Sequence, residues 1–164
     1  MTVAEINPAV IALRDEFLIP PDSDRLKVLL ADGADFVGAC AGTLDVLLVD
    51  GFDHDGQAPQ LCTQAFYDDC RRALNPQGVL VVNLHHDHPE HALYMSRIQR
   101  SFGAGVFELA SKEKSNSVVF ACKTPAVSAE QFRQRAALDD FSEAVRQQLK
   151  PEFSRLAWLI QSTG

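Results

Sequence analysis

No stretch of this sequence approaches the roughly 18 consecutive apolar residues that a membrane-spanning helix needs. A basic segment followed by an apolar one, the pattern of a secretory leader, is also missing, and a cytoplasmic location is expected. Cations are in deficit. Fifteen Lys and Arg stand against 22 Asp and Glu, a formal net charge of −7, with a pI near 5.1. Such a surface repels a phosphate backbone, so nucleic acid is not an expected partner. Cysteine is scarce. Cys40, Cys62, Cys70 and Cys122 show no CxxC spacing and read as reduced, mostly buried thiols, not a zinc site or a disulfide frame. Internal repeats, low-complexity tracts and linkers are absent, so residues 1–164 read as one domain.

What is present is a globular composition, 46% hydrophobic and 23% charged. The stretch that organises it is Leu44 to Tyr67. The apolar run Val46 to Val49 ends abruptly in Asp50, Gly51, Asp53, Asp55 and Gly56, the pattern of a buried parallel strand. In open α/β sheets, ligands bind beyond the carboxyl ends of such strands, which would hang Asp50 and Asp53 over a pocket. The bland alternative is a strand-to-helix loop with solvated acids, and pattern alone leaves both open.

Asp50-x-x-Asp53-x-x-Gly56-x-Ala58-x-x-Leu61-x-Thr63-x-x-Phe66-Tyr67 resembles, without a gap, the signature segment of the spermidine synthase (polyamine aminopropyltransferase) family. The resemblance implies an α/β, Rossmann-like class I methyltransferase sheet, mostly parallel with an antiparallel edge strand. It also implies binding of decarboxylated S-adenosylmethionine, or S-adenosylmethionine itself, with no metal. Asp53 would act as base toward a small-molecule amine acceptor, and Asp50 would orient the amine or the cofactor. His54 and Gln57 stand where the family usually has proline, and with Asp53 they would form the acceptor side. Val3-Ala4-Glu5-Ile6-Asn7 resembles the family segment whose Glu takes the ribose hydroxyls, which falls on Glu5. Ala31-Asp32-Gly33 resembles the segment whose Asp takes the adenine amino group, which falls on Asp32 beside Gly33. Asp32 would equally suit a helix N-cap.

Ahead of Glu5 the chain carries neither the family's glycine-rich cofactor loop nor its first strand. That strand is normally the centre of the sheet, so a truncated domain with two unpaired edges is expected: either the sequence is a fragment or truncated reading frame, or another chain, such as a second copy in a homodimer, fills the gap. The tyrosine- and proline-rich stretch with which the family grips polyamines is not found either. Three functions therefore stand: aminopropyl transfer, methyl transfer from S-adenosylmethionine, or an inactive nucleoside-binding or assembly domain.

The remaining elements follow from periodicity and punctuation. Asn7-Pro8 should open a helix with Val10, Ile11, Leu13, Phe17 and Leu18 on its apolar face, ended by Pro20-Pro21. Arg25 to Leu30 reads as a strand, Ala34 to Cys40 as a short helix and Thr63 to Leu74 as an amphipathic helix with Tyr67 in the core. A buried strand is expected over Val79 to Leu84. The cluster His85-His86-Asp87-His88-Pro89-Glu90-His91 offers metal-ligand chemistry, but its spacing better fits a helix start with Asp87 as N-cap, continuing to Phe102 with Leu93, Met95, Ile98 and Phe102 inward. Gly105 to Ala110 and Ser117 to Cys122 should form a hairpin. Residues 128–164 read as a helical extension, broken at Pro151.

Overall fold

In the computed structural model, residues 1–53, 56–110, 115–124 and 141–162 are described. The strand of the signature segment, β3 (Leu44–Val49), runs parallel to β6 (Leu74–His85), with Val46 to Val49 opposite Val79 to Val82. β8 (Asn116–Cys122) pairs antiparallel with β6 and hairpins to β7 (Val106–Ala110), giving the order β3-β6-β8-β7. Antiparallel pairing is thus confined to the β7 side of the sheet, with β8 one strand in from that edge.

Alternation builds the core. On β6 the even-numbered Leu80, Val82 and Leu84 point to one face and are buried with Val119 and Ala121 of β8. Two helices cover that face. α3 (Gln64–Ala73) contributes Phe66, Tyr67, Cys70 and Ala73 at helical spacing. α4 (His91–Phe102) contributes Tyr94, Ile98 and Phe102. Thr63 caps α3 as a proper N-cap, its hydroxyl accepting from the Phe66 amide at 3.0 Å.

The N-terminal part is built differently. β1 (Thr2–Glu5) pairs in parallel with β2 (Lys27–Leu30) as a separate two-stranded sheet. The outer edges of β1 and β3 have no ladder partner among the described residues, as the expectation of two unpaired edges required. α2 (Gly33–Ala39) follows β2 and ties this part to the rest by packing on α3.

Several expectations fail here. α1 spans only Pro8–Ala12, although Asn7 caps it as expected. Val10, Leu13, Phe17 and Leu18 are exposed, so nothing buries the face that would have extended the helix. The chain instead turns through Leu18 at φ 56°, and Arg14 bonds back to the Pro20 carbonyl and pairs with Asp22 at 2.8 Å. α4 starts at His91, not near Asp87, because His88 rather than Asp87 accepts a local amide, that of Glu90 at 3.1 Å. Leu93 faces out and Tyr94 takes the inward place. Pro151 does not end a helix: α5 runs Glu143–Ser162 straight through it. The buried Ala157 and the bond from Arg155 to the Ala110 carbonyl of β7 fasten the part beyond the proline. The helix expected over 128–140 lies outside the described residues.

Candidate functional site

Three of the expected acids sit at or just past the carboxyl end of a parallel strand, and the fourth lies on a short strand that follows. Glu5 ends β1, Asp32 follows β2 by two residues, Asp50 immediately follows β3, and Asp53 lies on β4 (Phe52–Asp53). β4 turns back antiparallel into β5 (Gly56–Gln57), pairing Asp53 with Gly56 and Phe52 with Gln57. Gly56 adopts φ 130°, a conformation that side chains other than hydrogen rarely permit, which is why the reversal needs glycine.

Glu5 and Asp32 come together because β1 and β2 are in register up to Glu5 and Leu30, and the Ala31 amide donates to the Glu5 carbonyl at 3.0 Å. The link to the other acids is Leu61. A Cβ built on Gly33 would lie 3.6 Å from its Cδ2, and one on Gly51 would collide with its Cδ1. The Asp32–Gly33 loop and the Asp50–Asp53 turn therefore rest on the same side chain.

The carboxylates are partly committed. Glu5 Oε1 accepts the Asn7 amide at 2.7 Å. Asp32 Oδ1 accepts the Ala34 amide at 2.7 Å and that of Asp35 at 3.4 Å, so the N-cap reading of Asp32 is correct. Asp50 Oδ1 accepts from Asn83 Nδ2 at 2.9 Å. In each case one oxygen is held by the chain, and the other takes none of these bonds. That set of acceptors suits a nucleoside: carboxylate oxygens accept from ribose hydroxyls and an exocyclic amine, and equally from a cationic amine.

Sequence reasoning missed Asn83. It lies near the carboxyl end of β6 and relays to Asn116 of β8, whose Nδ2 donates to Asn83 Oδ1 at 3.2 Å. The only available signal was a lone amide interrupting the apolar run of β6. Phe52 was missed as well. Its ring meets His85 edge-on at 4.9 Å, fixing the signature turn against the end of β6. Gln57, opposite Phe52 on the same face of this hairpin, is buried, and neither atom of its amide has a hydrogen-bond partner among the described residues. His54 lies outside the described residues.

The histidines behind the site are distributed among separate partners. His85 Nδ1 is 3.4 Å from Ser115 Oγ, His86 pairs with Asp87 at 3.1 Å, and His91 with Glu108 at 2.9 Å. Among the described residues no three His, Cys, Asp or Glu side chains converge as a metal site. None of the described helices is long and apolar enough to cross a membrane. Tyr67 is fully buried in the core, and burial pushes its phenol far above the usual range, which fits packing and not proton transfer. Burial likewise pushes the Cys62 thiol up to about 11.

The comparisons with known proteins agree with this layout. The family model of the spermine/spermidine synthase domain matches residues 1–147. A polyamine aminopropyltransferase of Chromobacterium violaceum is 37% identical over 143 residues, 87% of this chain and 51% of that protein. One from Neisseria meningitidis is 33% identical over 121 residues, 73% of this chain and 46% of that protein. The chain thus spans about half the length of these curated relatives. Among solved structures, a spermidine synthase in complex with the transition-state analogue AdoDATO superposes with TM-score 0.65 at 22% identity, covering 91% of this chain and 60% of that one. Human methyltransferase-like protein 13 in complex with SAH gives TM-score 0.66 at 21% identity, covering 99% of this chain and 69% of that one. These likenesses show a Rossmann-like methyltransferase fold, and with the matched sequence they establish that the chain belongs to the spermine/spermidine synthase domain family.

Proposed function

We propose that this chain carries the acid set of an aminopropyltransferase, serving transfer of an aminopropyl group from decarboxylated S-adenosylmethionine to a small amine. Support comes from four carboxylates at successive strand ends, and above all from Asp50 being oriented by Asn83 beside Asp53. An acceptor ammonium must lose a proton before its nitrogen can attack the methylene carbon next to sulfonium. Asp53 would take that proton and hold the cationic amine. Asp50, fixed by Asn83, would orient it. Glu5 would hold the ribose through its uncommitted oxygen, and Asp32 the adenine amine. Decarboxylated S-adenosylmethionine supplies the electrophilic carbon and a neutral thioether leaving group, so positioning carries much of the remaining rate. The buried, unpartnered amide of Gln57 is available to a polar group of the acceptor, as His54 beside Asp53 would be.

Methyl transfer from S-adenosylmethionine is the second reading. It is favoured by the 99% coverage of this chain by methyltransferase-like protein 13 and by the missing polyamine-gripping stretch. Calorimetric titration with S-adenosylmethionine, its decarboxylated form and methylthioadenosine decides. Preference for the decarboxylated form supports aminopropyl transfer, preference for S-adenosylmethionine supports methyl transfer, and binding of none leaves a non-catalytic member of the family. Where turnover is found, Asp53→Asn should lower it by about 10²- to 10⁴-fold with cofactor affinity nearly intact. Loss of both together would refute the base role.

A further inference from the structure

A concave region lies at the end of the sheet opposite the Asp50–Asp53 turn. Asp68, Arg71, Arg72, Arg100, Ser101 and Lys123 line an open depression of about 420 Å³. Its position follows from topology. Arg71 and Arg72 are in the last turn of α3, which feeds the amino end of β6, and Arg100 is in the last turn of α4. Lys123 follows β8 and its amide donates to the Gly78 carbonyl. Residues 79–85 of β6, roughly 20 Å of strand, separate it from the Asp50–Asp53 turn.

Its charge runs against the rest of the chain. The net charge is −7, yet four of the 15 Lys and Arg side chains gather around this one hollow, facing a single lining carboxylate. Helix dipoles explain part of this, since two helices end here and cations favour such ends. Lys123 Nζ donates to the Leu74 carbonyl at the end of α3, and Arg72 donates to the Gly38 carbonyl while pairing with Asp69. These two side chains have structural work. Arg71 and Arg100 do not: both are exposed, and neither forms a hydrogen bond or an ion pair among the described residues. Asp68 forms no ion pair with either: it accepts from Ser101 Oγ at 2.6 Å and from Gln64 Nε2 at 3.0 Å, and the Arg100 charge acts on it only as a lesser influence. Those bonds, Ser101 first, hold its carboxyl below the usual carboxylate range and keep it charged.

The geometry points to a binding site for a multiply charged phosphate-type anion. Two unpaired guanidinium forks suit phosphate oxygens in bidentate fashion. Lys123 and Arg72 add charge from the floor, and the volume lies in the ~300–1,000 Å³ range of small-ligand sites. The site is independent of the Asp50–Asp53 crevice and of the reaction assigned to it.

The test is titration of the whole chain with inorganic tripolyphosphate at about 50 mM and about 200 mM salt, an interval over which screening weakens contacts of this kind. Saturable one-to-one binding that weakens at the higher salt is expected. Arg71→Ala and Arg100→Ala should each weaken it and together weaken it at least tenfold, while Arg146→Ala, which removes one positive charge from α5 as either single variant does from the hollow, leaves it unchanged. Arginine Nε–H resonances give a readout that needs no variant: shifts should concentrate at Arg71 and Arg100. Absence of saturation at millimolar concentration overturns the proposal, and so does equal binding by the double variant. Capture of poly-glutamate but not of tripolyphosphate would also overturn it, in favour of an acidic protein surface.

Discussion

The two halves of this chain use the same kind of residue to opposite effect. Leu80, Val82 and Leu84 on β6 are 0–1% exposed, whereas Leu30 on β2 is 64% exposed and Leu48 on β3 is 67% exposed. All are aliphatic side chains on parallel strands. What differs is the second layer. β6 has a strand on either side and helices α3 and α4 over one face, while β1 and β3 each have one edge without a ladder partner among the described residues. Hydrophobicity alone therefore does not make a core; coverage does. The uncovered aliphatic side chains of β2 and β3, with those of α1, form the part of the surface suited to a protein partner.

The contrast can be tested most forcefully in the core. Leu80→Ala should cost about 2–5 kcal/mol by chemical denaturation, because its site cannot collapse. Leu48→Lys should cost less than about 0.5 kcal/mol in the isolated monomer. If a second copy covers β3, the same lysine should lower the mass seen by light scattering, and an unchanged mass would exclude that dimer. Next in size comes thiol reactivity. Cys62 and Cys70 lie in the core and Cys40, at the end of α2, is only half-buried. Against an ordinary thiol value of 9.0, a pKa of about 11 at Cys62 leaves about a hundredfold less thiolate at pH 8. Iodoacetamide should label Cys40 first and reach Cys62 and Cys70 at the rate of global unfolding; early labelling at Cys62 would show that the core opens locally. The same raised pKa makes Cys62 favour folding below pH 9, a contribution lost as pH rises through about 11. The smallest effect separates the two roles of Asp32. Asp32→Ala should lose about 1 kcal/mol of stability with the cap. Asp32→Asn keeps the capping oxygen but replaces the other with an amide, so stability should hold while nucleoside affinity falls about tenfold. Equal affinity in Asp32→Asn would leave Asp32 as a cap alone.

The well-covered half was largely legible from sequence. α3, β6 and the β7–β8 hairpin have periodicities that match what they bury, so local pattern and tertiary contact agree. The N-terminal half was legible only in its punctuation: Asn7 and Asp32 cap as expected, yet the apolar face from Val10 to Leu18 has no layer beneath it and makes no helix beyond Ala12. The four acids could be placed because strand ends are local features. Asn83 could not be matched to Asp50 without the β3–β6 register, since 33 residues separate them. Pro151 shows the limit of a local rule: a cost of about 3 kcal/mol for an interior proline is offset where packing and the Arg155 anchor follow it.

Leu61 has a mechanical consequence. Its two methyl groups pack against two different loops, one at Gly33 after β2 and one at Gly51 after β3. A displacement of one loop would reach the other through one rotamer, with no helix needing to move. On the function proposed above, Leu61 would then be the pivot through which a nucleoside at one loop and an amine at the other register each other's presence.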